Sequence, residues 1–136
     1  MAFDITRVDH VSIATWNTRE RLPLYRDVMG LEFDATWVNE EDGFTNNIYR
    51  KPGLEPGFEF IEPVAEEAMV GRFLRHKGPG VHHVSLFVKD VASAAAALEA
   101  VGIKAAGMRE TEYGVMFYIH PRDSGGVLIH VSQDPG

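Results

Sequence analysis

Three histidines and one glutamate, His10, His83, His130 and Glu59, are the side chains of this sequence whose types fit a single metal centre. Neutral imidazole nitrogens with one anionic oxygen, each at about 2.0–2.2 Å, suit zinc, iron, cobalt, nickel or manganese. Strand parity is what groups them, since residues two apart on a strand point to the same side. His10 and Ser12 oppose Val11 and Ile13, and His83 and Ser85 oppose Val84, Leu86 and Val88. Glu59 opposes Phe58 and Phe60, and His130 opposes Val127, Ile129 and Val131. The apolar sides should meet helices, which leaves all four donors on the non-helix faces. Any one polar residue there is the ordinary pattern of a half-covered sheet. The case for a metal is joint, and it depends on the fold, because no chain-local motif such as His-Glu-x-x-His is present.

The other titratable clusters are weaker. His82 has the opposite parity to His83, so packing or capping suits it better than ligation. His76 lies in Arg72-Phe73-Leu74-Arg75-His76-Lys77, a solvated helix end whose alternative role is a basic patch for an anionic substrate tail. His120 precedes Pro121 and has no evident partner. Glu40-Glu41-Asp42, beside Gly43, is a solvated turn that is also a source for a general base, because loops on a rigid sheet commonly supply catalytic groups.

An internal repeat supplies the elements that must position these residues. Val8-Asp9-His10-Val11-Ser12-Ile13-Ala14 returns 73 residues later as Val81-His82-His83-Val84-Ser85-Leu86-Phe87, matching at Val, His, Val and Ser. Each copy leads into a helical stretch that ends at a glycine, Gly30 or Gly102, suited to a left-handed C-cap. The pattern predicts strands at 8–15, 31–38, 44–50 and 57–62 in the first half, with a helix carrying Leu22, Tyr25 and Val28 or Met29 and Pro23 near its first turn. A bridging helix is expected over 65–76, stopped by Gly78-Pro79-Gly80. The second half reads as strand 81–88, an alanine-rich helix from Asp90 as N-cap to Val101, and strands near 103–106, 114–119 and 126–132. A βαβββ unit written twice predicts an α+β fold, with two tandem modules over about 6–63 and 80–133 of one domain spanning 1–136. Their curved mixed sheets should enclose a cleft.

Composition removes several function classes. The 136 residues are 45% hydrophobic and 24% charged, enough apolar stock for a packed core. A net charge of −7 argues against a general nucleic-acid or anionic-membrane surface. The absence of cysteine removes disulfides, thiolate zinc sites and cysteine nucleophiles. No basic-then-apolar leader opens the chain, and no apolar run approaches the roughly 18 residues of a membrane span. A cytoplasmic location is expected.

At Asp9-His10-Val11-Ser12-Ile13-Ala14, Phe58-Glu59-Phe60-Ile61-Glu62-Pro63, Gly78-Pro79-Gly80-Val81-His82-His83 and His120-Pro121-Arg122-Asp123-Ser124-Gly125-Gly126-Val127-Leu128-Ile129, the sequence resembles the vicinal oxygen chelate superfamily, and within it the methylmalonyl-CoA epimerase branch. The resemblance covers nearly the whole chain. It implies metal positions at His10, Glu59, His83 and His130, where the last replaces the glutamate of the epimerase pattern, and a catalytic base at Glu41. With that glutamate gone, Glu59 supplies the only anionic ligand, and His130 can serve as ligand or as second base but not as both.

The function so implied is a metal-dependent epimerase or isomerase that moves a proton α to a carbonyl, on a carboxylated acyl thioester such as an acyl-CoA. One divalent metal ion is the expected cofactor, and a homodimer is the state the resemblance implies. A non-haem iron(II) dioxygenase of the same superfamily is the alternative enzyme, with His10, His83 and Glu59 as a two-histidine, one-carboxylate set. A metal-free binding protein is the third reading, its small aromatic ligand walled by Trp16, Trp37, Phe44, Tyr113, Phe117 and Tyr118.

Overall fold

The fold was obtained as a computed structural model, which describes residues 2–111 and 114–136. By its contacts the chain forms two compact units, residues 10–82 and residues 1–9 with 83–136.

In the unit of residues 10–82, which takes the second half of strand β1 (Ile5–Ala14), β1 and strands β2 (Glu32–Asn39), β3 (Phe44–Arg50) and β4 (Gly57–Pro63) are ordered β2-β3-β4-β1. The β2–β3 and β3–β4 pairs are antiparallel, whereas β1 and β4 are parallel, with Ser12 opposite Glu59. The crossover between β1 and β2 is shorter and looser than the expected helix. A single 3₁₀ turn at Thr18–Glu20, capped by the Asn17 side chain, leads to a π-helical segment at Pro23–Val28. The amide of Met29 there donates to the Leu24 carbonyl at 2.9 Å, five residues back. Its inward side chains still do the work predicted for a helix. Leu22 is buried with Ile13, Leu31, Tyr49 and Phe60, and Val11, Tyr25 and Phe58 pack on that cluster.

Helix α1 (Met69–Lys77) starts four residues later than predicted. It covers the opposite side of the strands, where Val70 and Leu74 pack on Ala14, Phe44 and Ile61. Ala14 shares the parity of His10 and Ser12, and Ile61 that of Glu59. The face expected to stay uncovered is therefore closed at one end by α1, and an apolar patch there lies next to the polar one.

In the other unit, which takes strand β5 (Gly80–Val88) from His83 onward, β5, β6 (Ala106–Thr111), β7 (Gly114–Ile119) and β8 (Leu128–Gln133) are ordered β5-β8-β7-β6, the same plan as the first. Here β5 and β8 are the parallel pair, with Ser85 opposite His130. Helix α2 (Val91–Ala100) is N-capped by Asp90, whose carboxylate accepts from the amides of Ala92 and Ser93 at 3.0 and 3.4 Å. Val91, Ala94, Ala95 and Leu98 form its core with Val88, Phe117, Ile119 and Val131. The strand expected at 103–106 begins only at Ala106, because Ile103 and Ala105 pack on that core from a connecting segment. A short helix α3 (Pro121–Ser124), not anticipated, precedes β8, and the His120 ring caps it by accepting from the Arg122 amide. Among the described residues, no helix is long and apolar enough to cross a membrane.

Candidate metal centre

Parity sorts the side chains as alternation predicts. Val11, Ile13, Phe58 and Phe60 join the core beneath the π-helical segment, and Val88, Ile129 and Val131 join the α2 core. His10, Ser12 and Glu59, with His83, Ser85 and His130, take the other parity.

Glu59 is 2% exposed. A carboxylate so deeply buried is costly unless hydrogen-bonded or paired with a cation. The Ser12 hydroxyl, itself fully buried, donates to Glu59 Oε1 at 2.6 Å. His10 Nε2 lies 3.6 Å from the same oxygen. On the second parallel pair, Ser85 Oγ and His130 Nδ1 are 3.0 Å apart. The His130 ring lies 5.8 Å from that of His83 and 5.1 Å from that of Tyr118, centroid to centroid.

His10, Glu59 and His83 are the candidate donors for a metal ion. Two imidazoles and a buried carboxylate fit a divalent transition metal by their chemistry. His130, expected as a fourth ligand, stands outside that group. Its Nδ1 is engaged by Ser85 and its ring is tilted against Tyr118. Glu41, expected as a base, sits on the exposed turn between β2 and β3, also outside the group. That turn is held by Asn39 and Asp42: the Asp42 amide donates to Asn39 Oδ1 at 3.0 Å and Asn39 Nδ2 donates to Asp42 Oδ2 at 3.2 Å.

His82 stands outside this group. Its ring lies 5.0 Å from that of Phe73 on α1, and burial, with the Lys77 ammonium nearby, pushes its pKa down to about 4. It is a neutral packing residue at neutral pH. His76 is exposed at the end of α1. Of the aromatic residues considered as ligand walls, Phe44 and Phe117 are buried in helix-backed cores, which weighs against that reading. Trp16 is exposed, Trp37 and Tyr118 are half-buried, and Tyr113 lies outside the described residues.

The two serines are what sequence reasoning passed over. Their parity was legible, but which residue each meets depends on the register of a parallel partner strand 47 or 45 residues away.

Known proteins resemble this one along nearly its whole length. An ethylmalonyl-CoA/methylmalonyl-CoA epimerase of Cereibacter sphaeroides is 27% identical over 134 residues, covering 95% of this chain and 98% of its own. The solved structure of methylmalonyl-CoA epimerase from Mycobacterium tuberculosis matches with a TM-score of 0.85 at 25% identity, covering 100% of this chain and 93% of the other. A Streptomyces coelicolor methylmalonyl-CoA epimerase variant in complex with 2-nitronate-propionyl-CoA matches with a TM-score of 0.83 at 29% identity, covering 98% and 100%. The model of the glyoxalase/bleomycin resistance protein/dioxygenase superfamily matches residues 9–118. With that match over most of its length, and with the strand plan of a vicinal oxygen chelate fold, the chain belongs to the glyoxalase/bleomycin resistance protein/dioxygenase superfamily.

Proposed function

We propose that this protein is a metal-dependent epimerase acting α to the carbonyl of a carboxylated acyl thioester, of which methylmalonyl-CoA is the model substrate. The observation that carries the reading is the group of His10, Glu59 and His83 in a chain similar to methylmalonyl-CoA epimerases. These three residues would hold the divalent cation. When bound, such a cation supplies Lewis acidity, polarising the substrate carbonyl so that the adjacent carbon loses its proton more readily. Glu41 would take that proton as a carboxylate, and His130, outside the three-donor group and carrying a proton on Nε2 as the imidazolium, would return that one to the opposite face. The two modules, about 6–63 and 80–133, work as one domain, in a cytoplasmic homodimer.

Incubation of the metal-loaded protein with methylmalonyl-CoA in heavy water tests the reaction class. Deuterium should enter at the α carbon with no oxygen consumed. Glu41→Gln should slow that exchange roughly a hundredfold or more with metal content unchanged, as for a lost general base. Undiminished exchange would refute Glu41 as the base. Two histidines and one carboxylate are also the composition of iron(II) oxygenase sites, so oxygen uptake coupled to product formation would transfer the protein to that class.

A further inference from the structure

The two halves repeat more than their strands. Ser12 follows His10 by two residues, and Ser85 follows His83 by two. Each serine lies directly opposite, across a parallel strand pair, the residue that its hydroxyl meets: Ser12 opposite Glu59 and Ser85 opposite His130. Ser12 and Ser85 are at most 2% exposed. Burying a hydroxyl costs free energy unless it is hydrogen-bonded, so these contacts bear on where both partners sit.

We propose that Ser12 and Ser85 are paired positioning residues, one per module, that orient Glu59 and His130. The proposal rests on the metal centre argued above for its Ser12 half only. Donation from Ser12 to Oε1 fixes the rotation of the carboxylate and presents it to the cation in one orientation. In this assignment Ser85 accepts from Nδ1–H of His130, which keeps that nitrogen protonated and makes Nε2 the atom that takes up and gives back a proton. Neither serine touches substrate in this scheme.

Cobalt(II) binding tests the first half, read from the cobalt absorption bands and from competition with a chelator. Ser12→Ala should weaken cobalt binding about 10- to 100-fold and shift the bands, as is typical when a partner that orients a ligand is removed. Ser12→Thr, which keeps the hydroxyl, should recover most of the affinity, whereas a purely packing role for Ser12 would not favour Thr over Ala. Cobalt affinity in Ser12→Ala within twofold of the parent overturns the Ser12 assignment. Glu59→Gln is the reference: if it too binds cobalt like the parent, the metal centre itself is wrong. The second half is read without metal, from the ring nitrogen resonances of His130. The parent should show one dominant tautomer and Ser85→Ala a mixture. Unchanged tautomer populations in Ser85→Ala overturn the Ser85 assignment.

Discussion

Adjacent histidines His82 and His83 have opposite duties, and the difference is one step of strand parity. Both are buried, but His83 is a candidate metal donor while His82 packs on Phe73. His83→Ala should therefore lower cobalt or zinc affinity by at least a hundredfold, and His82→Ala should leave it within a few-fold, both measured by chelator competition. Equal losses would contradict the parity. His82 also sets a pH dependence. Its pKa is about 4 in the folded protein, against 6.5 ordinarily, so between those values the unfolded chain binds a proton that the native state refuses. Stability is therefore full above about pH 6.5 and falls as pH drops towards 4, by up to roughly 3 kcal/mol. Urea unfolding of the metal-free protein at several pH values should show this slope in the parent, and a shallower one in His82→Ala.

Elements here obey local rules only where packing permits. Alanine normally improves a helix over glycine by up to about 1 kcal/mol. Gly71 on α1 is an exception, because a Cβ there would collide with the Glu66 carbonyl oxygen. Gly71→Ala should therefore destabilise the protein and lower its urea midpoint; a raised midpoint would show that the segment before α1 yields freely. On α2 the local rule holds. Asp90 caps two amides and also accepts from the Ser93 hydroxyl at 3.0 Å, so Asp90→Ala should cost about 1 kcal/mol in the same assay. The crossover after β1 shows why periodicity alone overstates a helix. Leu22 and Tyr25 at helical spacing locate the buried side of the segment, but the segment is only a 3₁₀ turn and six π-helical residues.

For the whole molecule, a cation that binds only the native state adds stability by mass action. Zinc or cobalt at a hundred times its dissociation constant should add about 2.7 kcal/mol and raise the melting temperature by about 10 °C, with little rise in Glu59→Gln. Calorimetry with and without metal checks this. Much of the architecture was legible in the linear sequence. The Val8–Ala14 repeat at Val81–Phe87 exposed the doubled plan, and alternation put His10, Glu59, His83 and His130 on one parity, because a strand's period of two is set by covalent geometry. Other features required the folded chain. Ser12 meets Glu59, Ser85 meets His130, and α1 closes over Ala14 and Ile61, all through contacts between segments distant in sequence. The sequence by itself determined the faces, since each residue's side follows from its neighbours along the strand. Only the tertiary structure decided the partners, since strand register is a property of two segments and is set by the packing that joins them.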